Sequence, residues 1–380
     1  MNSKKWLFVN LILTVLLLAF CAYKVIDVDP FFHYHKPLTD KYYYTLTNQR
    51  SINDGIVKHF DFDAIITGTS MTENFKSSEV DELFGVNSVK VPFSGATFKE
   101  TADLINAAYD TGHELKLVIR GLDYWSFADD KDKLREDLGQ YPDYLYDKNP
   151  FNDTKYIFNR DVLFGRIYSM EKARLSGSFE PGITSFDDYS NWSDSVEYGP
   201  DAVFANKSYE YTLTDETEFY HLTDEEIENV YENIRQNVTS IANSHPETEF
   251  YCFFPPFSVV WWREQTENGY IYTYYEAEKI TIEELLKCSN IKLFAFNEHT
   301  EVTTNLDNYR DTHHYGGWIN SQILEWMKEG EGLITKDNYL ERLDNIYDFY
   351  LNYDYESLMA QTGFFEKWEK DHPEVSAQPQ

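Results

Sequence analysis

The sequence predicts an α/β protein, in which helices cover both faces of a parallel sheet, preceded by one membrane-spanning helix. Short apolar runs with the length of buried strands alternate with segments of helical periodicity, which is the pattern of strand–helix–strand units. An uncharged apolar stretch near the N-terminus is long enough to cross a bilayer. These two observations define the architecture before any motif is considered.

Composition limits the classes of partner. The chain has 380 residues, of which 42% are hydrophobic, enough for a membrane anchor and one large or two small folded domains. Its formal net charge of -32 repels nucleic-acid phosphates and excludes a DNA or RNA partner. Three cysteines form neither a disulfide framework nor a zinc pattern. We predict that Cys252 and Cys288 are core thiols, with one disulfide between them as the alternative, and we predict no cofactor.

The N-terminal stretch 6–23 contains no charged residue and as a helix would rise about 27 Å, close to the thickness of the hydrocarbon core. Lys4 and Lys5 precede it, so the positive-inside rule places residues 1–5 in the cytoplasm and the domain outside the cell. A cleaved signal peptide is the alternative, but residues 19–21, Ala-Phe-Cys, resemble an A-x-A cleavage site only loosely, and Phe20 is not the small residue that a lipoprotein site needs before its cysteine. We expect a single-pass protein of the cell membrane.

The elements follow in order after a connector at 24–60. Residues 61–335 are predicted to form the main domain, with an insertion at about 123–222, and residues 336–380 a helical segment and tail. The insertion is rich in Tyr, Asp, Asn and Pro and is expected to form short helices and hairpins of its own. The predicted strands are 63–67, 86–93, 115–122, 249–254 and 291–296. The predicted helices are one directly after Ser70, then 97–109, 223–245 with a capping box, 274–287, 314–328 and 337–368.

Three strand ends or loops carry chemical groups. Gly68-Thr69-Ser70 follows the first predicted strand, and Ser94-Gly95 follows the second. Because ligands bind at the carboxyl ends of parallel strands, these groups should converge. A serine after a strand is more often a helix cap than a nucleophile, and a lone Ser-Gly is a turn.

The third block is Asp311-Thr312-His313-His314, ahead of the last core helix. A carboxylate three residues before a histidine can orient the imidazole, which can then deprotonate a serine. Two adjacent histidines also suggest a metal site, but no further ligand residues cluster with them in sequence. We therefore predict no metal.

Taken together, the three blocks resemble the SGNH/GDSL hydrolase superfamily in order and spacing across about residues 60–330. With the N-terminal anchor, the chain looks most like the membrane-anchored extracytoplasmic branch, which includes DltD-like teichoic-acid D-alanylation proteins and alginate-type O-acetyltransferases. The resemblance implies a flavodoxin-like α/β/α sandwich with a five-stranded parallel sheet. It also implies Ser70 as nucleophile, His314 as base and Asp311 as its orienting partner.

The same resemblance implies transfer of an acyl group, of acetyl or D-alanyl type, to a cell-envelope polysaccharide or teichoic acid. A polytopic membrane O-acyltransferase would be the partner. The choice of His314 over His313 follows from the family spacing. The backbones of Ser70 and Gly95 would stabilise the oxyanion.

The chain departs from the family where an asparagine is usual, since residues 121–124 read Gly-Leu-Asp-Tyr. A carboxylate cannot donate a hydrogen bond unless it is protonated, so Asn74 is the candidate replacement donor. The alternatives are a simple carbohydrate esterase, or a non-catalytic polymer-binding or scaffold partner of a membrane O-acyltransferase. The aromatic cluster Phe257, Trp261 and Trp262 would stack sugar rings or, as we prefer, belong to the core.

Overall fold

The computed structural model describes residues 3–137, 141–177, 179–205 and 218–363. They form a mixed α/β protein with a sheet of mainly parallel strands. The strands are β1 (Tyr43–Tyr44), β2 (Ala64–Thr67), β3 (Ser88–Lys90), β4 (Leu117–Gly121), β5 (Gly182–Ile183), β6 (Glu249–Phe254), β7 (Ile291–Ala295) and β8 (Leu333–Ile334). The helices are α1 (Ser3–Val28), α2 (Gln49–His59), α3 (Ser77–Phe84), α4 (Phe98–Asp110), α5 (Asp143–Tyr146), α6 (Thr154–Ile157), α7 (Tyr168–Ser176), α8 (Pro200–Phe204), α9 (Asp224–Ile234), α10 (Ser240–Ser244), α11 (Val259–Glu267), α12 (Ile271–Leu285), α13 (Thr300–Thr303), α14 (Gly317–Glu329), α15 (Tyr339–Leu351) and α16 (Tyr355–Gln361).

Single turns and π-helical segments complete the secondary structure. Short 3₁₀ turns occupy Ser70–Thr72, Tyr124–Ser126, Ser193–Ser195, Phe296–Glu298 and Leu306–Asn308, and π-helices occupy Asp161–Ile167 and Arg235–Thr239. The chain divides into two compact units, the first formed by residues 1–61, 104–113 and 135–190 and the second by 62–103, 114–134 and 191–380. The predicted connector at 24–60 and much of the predicted insertion at 123–222 therefore lie together in the first unit.

In the first unit, α1 is long and apolar enough to cross a membrane, with a rise of about 39 Å. The helix includes the predicted span 6–23 and continues to Val28. The charged side chains in its last turns have partners, since Lys24 pairs with Glu171 at 2.5 Å and Lys41 pairs with Asp27 at 3.2 Å.

The turn that follows α1 is organised by Asp29, whose backbone has a φ of 44°. Its buried carboxylate accepts the backbone N–H groups of residues 33, 34 and 35 and the hydroxyl of Tyr156. Phe31 and Phe32 are buried beside it. The aromatic connector thus packs as part of a folded unit.

The second unit contains a six-stranded sheet in the order β3-β2-β4-β6-β7-β8. Five strands are parallel and overlap the five predicted strands. The prediction of five strands was wrong by one, because β8 pairs antiparallel with β7 and forms the edge of the sheet. With two residues, β8 is too short to produce a periodic signal in the sequence.

The parallel strands are apolar along their length because both faces of the sheet are covered. Ile65, Ile66, Val118 and Ile119 are all fully buried. Arg120 of β4 is also buried, and its guanidinium donates to the carbonyls of residues 98 and 237 and to the hydroxyl of residue 101. Satisfying these donors is the condition for keeping an arginine inside the domain.

The aromatic cluster after β6 belongs to the core, which confirms the preferred interpretation. Phe257 and Trp262 are fully buried, and Trp261 is 6% exposed. Cys252 and Cys288 are free, buried thiols, and burial raises the pKa of Cys252 to about 12.

The predicted helices differ from the structure mainly at their ends. The capping box at Thr223 is present and opens α9, and its predicted helix continues through a π-helical segment into α10. The helix predicted from residue 314 begins instead at Gly317. The predicted helix 337–368 corresponds to α15 and α16, and its residues beyond 363 lie outside the described part of the chain.

Candidate active site

Ser70 lies in a tight turn directly after β2. Gly68 has a φ of +149°, and a Cβ there would lie 2.7 Å from the Thr72 methyl group and 3.2 Å from the backbone nitrogen of Gly121. Only glycine fits this approach of two strand ends. The hydroxyl of Thr69 accepts the N–H of Met71 at 3.3 Å and caps the turn.

The helix predicted after Ser70 is in fact a single 3₁₀ turn, Ser70–Thr72. Ser70 is its first residue, so its backbone N–H has no acceptor within the turn. Asn320 of α14 donates to the carbonyl of Met71 at 2.9 Å and holds the turn from the helix side. The Ser70 side chain is partly exposed, as a nucleophile requires.

Asp311 and His314 lie in a loop closed upon itself. Tyr309 and Tyr315 form an antiparallel bridge, and the Arg310 N–H donates to the His314 carbonyl at 3.0 Å. The Ser258 hydroxyl donates to the Thr312 carbonyl at 2.6 Å. The loop is therefore fixed at both ends and at its tip.

The three side chains form a continuous hydrogen-bonded chain. The Ser70 Oγ lies 2.8 Å from His314 Nε2, and His314 Nδ1 lies 2.7 Å from Asp311 Oδ2. The other oxygen, Asp311 Oδ1, accepts the backbone N–H groups of His313 and His314 at 3.0 and 2.8 Å. This arrangement presents the unprotonated Nε2 to the serine hydroxyl, as general-base activation requires.

Neither a family model, nor a curated protein, nor a solved structure matches the chain. The case for its chemistry therefore depends on the geometry of these side chains.

The electrostatics of Asp311 suit the same role. Burial alone would raise its pKa, but the hydrogen bond from His314 and the positive charges that His313 and His314 can carry hold that pKa well below its usual range. Asp311 is thus a carboxylate at any physiological pH and keeps a proton on His314 Nδ1.

His313 lies beside the chain rather than in it. Its ring packs against Trp125 and Phe257, with centroids at 5.3 and 5.5 Å. Ligand atoms of Asp311, His313 and His314 lie within 4.8 Å of one another, so a metal ion could in principle bind there. Both ring nitrogens of His314 are already hydrogen-bonded, to Asp311 and Ser70, and a metal ligand would have to give up one of these bonds.

The two predicted oxyanion groups other than Ser70 occupy different positions. Gly95 has a φ of +58° in the loop after β3, and this loop is held to the serine turn because the Phe93 N–H donates to the Gly68 carbonyl at 2.9 Å. Asn74 is 2% exposed, and its side-chain oxygen accepts the Trp192 N–H at 3.1 Å. Within the described residues, no hydrogen bond joins Asn74 to Ser70 or His314.

Two tryptophans near the site were not singled out from the sequence. Trp192 packs edge-on to the His314 ring at 5.5 Å, and the Arg310 guanidinium lies 4.9 Å above its ring. Trp125 contacts His313 and also lines a cleft of about 360 Å³. Both lie in the stretch predicted as an insertion, where sequence composition indicated no particular residue.

Proposed function

We propose that the chain is an extracytoplasmic acyl-ester enzyme that transfers an acyl group, of acetyl or D-alanyl type, to a cell-envelope polysaccharide or teichoic acid. The observation that carries the proposal is the Ser70–His314–Asp311 chain, complete at hydrogen-bonding distances of 2.8 and 2.7 Å. A serine that only capped a turn would not need a histidine oriented by a carboxylate.

The chemistry proceeds in two half-reactions. Ser70 Oγ attacks the carbonyl carbon of the acyl donor while its proton passes to His314 Nε2. The bond to the leaving group then breaks, and the leaving group takes that proton, which leaves an ester on Ser70. A sugar or polyol hydroxyl next attacks this ester, His314 accepts its proton, and the same proton returns to Ser70 as the acyl group departs.

The strand order supports placing the site in an SGNH-type fold. The five parallel strands, numbered in chain order, run 2-1-3-4-5 across the sheet, which is the flavodoxin-like order. Ser70, Gly95 and Asp123 follow β2, β3 and β4 at their carboxyl ends, where ligands bind in such sheets. The backbone N–H groups of Ser70 and Gly95 are the proposed oxyanion donors.

An acceptor site for a sugar is supported by the cleft beside His313. Its aromatic lining includes Trp125, Tyr220 and Tyr270, which are 36%, 45% and 47% exposed. Trp125 connects the cleft to the site through its contact with His313, and exposed aromatic faces suit the apolar faces of sugar rings. A polytopic membrane O-acyltransferase would supply the acyl group. The helix α1 would hold the domain at the extracellular surface of the cell membrane, and the N-terminus of the chain would lie in the cytoplasm.

Covalent labelling tests the proposal. The full chain in detergent micelles is treated with a fluorophosphonate or an activated acyl ester, and adducts are read by intact mass. A single adduct on the wild type that is lost in Ser70→Ala and His314→Ala is expected. Ser195→Ala, a change of an exposed serine, should label normally. No adduct on folded wild type would favour a non-catalytic polymer-binding or scaffold role.

A further inference from the structure

Asp123 follows β4, at the position where the SGNH/GDSL pattern usually has an asparagine. The register of the sheet places it near the turn of Ser70. Thr67 of β2 is paired with Arg120 of β4, and Ser70 and Asp123 each follow their paired residue by three positions. The two strand ends touch, because Gly68 closely approaches the backbone of Gly121.

The carboxyl group of Asp123 is fully buried, and neither oxygen has a hydrogen-bond partner among the described residues. It precedes a 3₁₀ turn but does not cap it with its side chain. The Thr69 hydroxyl is near enough to lower the Asp123 pKa but not in hydrogen-bonding geometry. A buried polar group without a partner destabilises the fold, and a catalytic role is one explanation for keeping it.

Of the groups that act electrostatically on Asp123, Thr69 and His314 favour its charged form, whereas Tyr124 and Tyr315 carry no positive charge. The hydroxyls of Tyr124 and Tyr315 are themselves buried and have no hydrogen-bond partner in the part of the chain that the structure describes. In such surroundings the charged form of a carboxyl group is disfavoured, and burial raises the pKa of Asp123 to about 7 despite Thr69 and His314.

We infer that Asp123 acts as a neutral carboxylic acid whose O–H donates a hydrogen bond to the oxyanion formed when Ser70 attacks an acyl donor. A protonated carboxyl group has the shape of a carboxamide and offers one O–H donor in place of an N–H. An apolar site can keep a carboxylic acid protonated for this purpose. Ionisation would instead place a negative charge beside the developing oxyanion and slow the reaction.

The inference rests on the proposed function and predicts a particular pH dependence. Only the neutral fraction of Asp123 can donate, so the wild-type rate should fall about tenfold per pH unit above pH 7 relative to a variant with a permanent donor. Asp123→Asn is that variant. Asp123→Ala removes the donor and should slow acylation about a hundredfold or more at pH 6.

The experiment measures the rate of fluorophosphonate labelling of the full chain in micelles from pH 6 to 9. The proteins are the wild type, Asp123→Asn, Asp123→Ala, and Asp130→Asn as a control that removes an exposed carboxylate from the same loop. We expect the rate of Asp123→Asn divided by that of the wild type to rise about a hundredfold between pH 6 and 9. The ratio for Asp130→Asn should stay constant.

A second readout does not depend on activity. The carbonyl stretch of a protonated carboxyl group should appear in the infrared difference between the wild type and Asp123→Asn at pH 6 and disappear by pH 9. A constant Asp123→Asn ratio, wild-type rates in Asp123→Ala, or no such infrared band would each overturn the donor role while leaving serine chemistry intact. No labelling of the wild type would overturn the proposed function and this inference together.

Discussion

Replacing Asp311 by asparagine should nearly abolish acylation while leaving the fold unchanged. Asp311 Oδ1 accepts two backbone N–H groups, at 3.0 and 2.8 Å, and its other oxygen accepts the proton on His314 Nδ1 at 2.7 Å. An asparagine oxygen must keep the backbone position, since an NH₂ group there would face two donors. The NH₂ group then faces Nδ1 and donates to it.

The consequence is a change of tautomer at His314. With Nδ1 accepting, the ring proton moves to Nε2, which points at the Ser70 Oγ 2.8 Å away and can no longer accept the serine proton. In a Ser-His-Asp system this change lowers kcat about 10⁴-fold, equivalent to about 5.5 kcal/mol of transition-state stabilisation.

The assay is the burst of product from an activated acyl ester, measured by stopped flow and by intact mass on the full chain. Asp307→Asn is the matched control, because Asp307 is an exposed aspartate just ahead of the same loop. Near-UV circular dichroism should be identical in the three proteins. A rate for Asp311→Asn within about tenfold of the wild type would show that the carboxylate does not set the tautomer.

Three further predictions concern stability, the serine turn and the cleft. Glu278 is fully buried, and burial raises its pKa to about 8. The folded chain therefore keeps a proton on Glu278 that the unfolded chain releases above about pH 4.3. This group should lower the unfolding free energy by up to about 1.4 kcal/mol per pH unit as pH rises towards 8. Glu278→Gln should reduce the pH dependence by that amount in urea unfolding at pH 5 and 8, and an unchanged pH dependence would contradict the assignment. Gly68→Ala should strongly reduce labelling of Ser70, because a Cβ would lie 2.7 Å from the Thr72 side chain. Gly112→Ala is the control and should label normally, because Gly112 also has a positive φ but no atom lies within 4 Å of its Cβ position. Equal labelling of the two variants would argue against a strained turn. Trp125→Ala should lower the rate of acyl transfer to a saccharide acceptor at least fivefold, as expected for the loss of one aromatic contact. The rate of Ser70 labelling should stay within about twofold of the wild type. An equal loss in both assays would mean that Trp125 supports the loop of His313 and does not bind the acceptor.

Local sequence patterns predicted the parts of the fold whose causes are local. The five parallel strands were placed by their apolar runs, and the Thr223 capping box was placed by the spacing of a threonine and a glutamate. The sixth strand was missed because two residues carry no period, and the helix after Ser70 was predicted where a single turn occurs. Ser70, Gly95, Asp311 and His314 became candidates only when the three blocks were compared with the SGNH/GDSL pattern, since each block alone was a weak signal.

By itself, then, the sequence determined the candidate site residues, the positions of the strands that carry them and the apolar N-terminal helix. Only the tertiary structure decided that Ser70 and His314, separated by 244 positions, lie 2.8 Å apart. It also decided that Trp125 and Trp192 lie at the site and that Asp123 is buried with no hydrogen-bond partner among the described residues. The physical reason is that burial and long-range contact depend on which strand ends the sheet brings together, and no local pattern of residues records that.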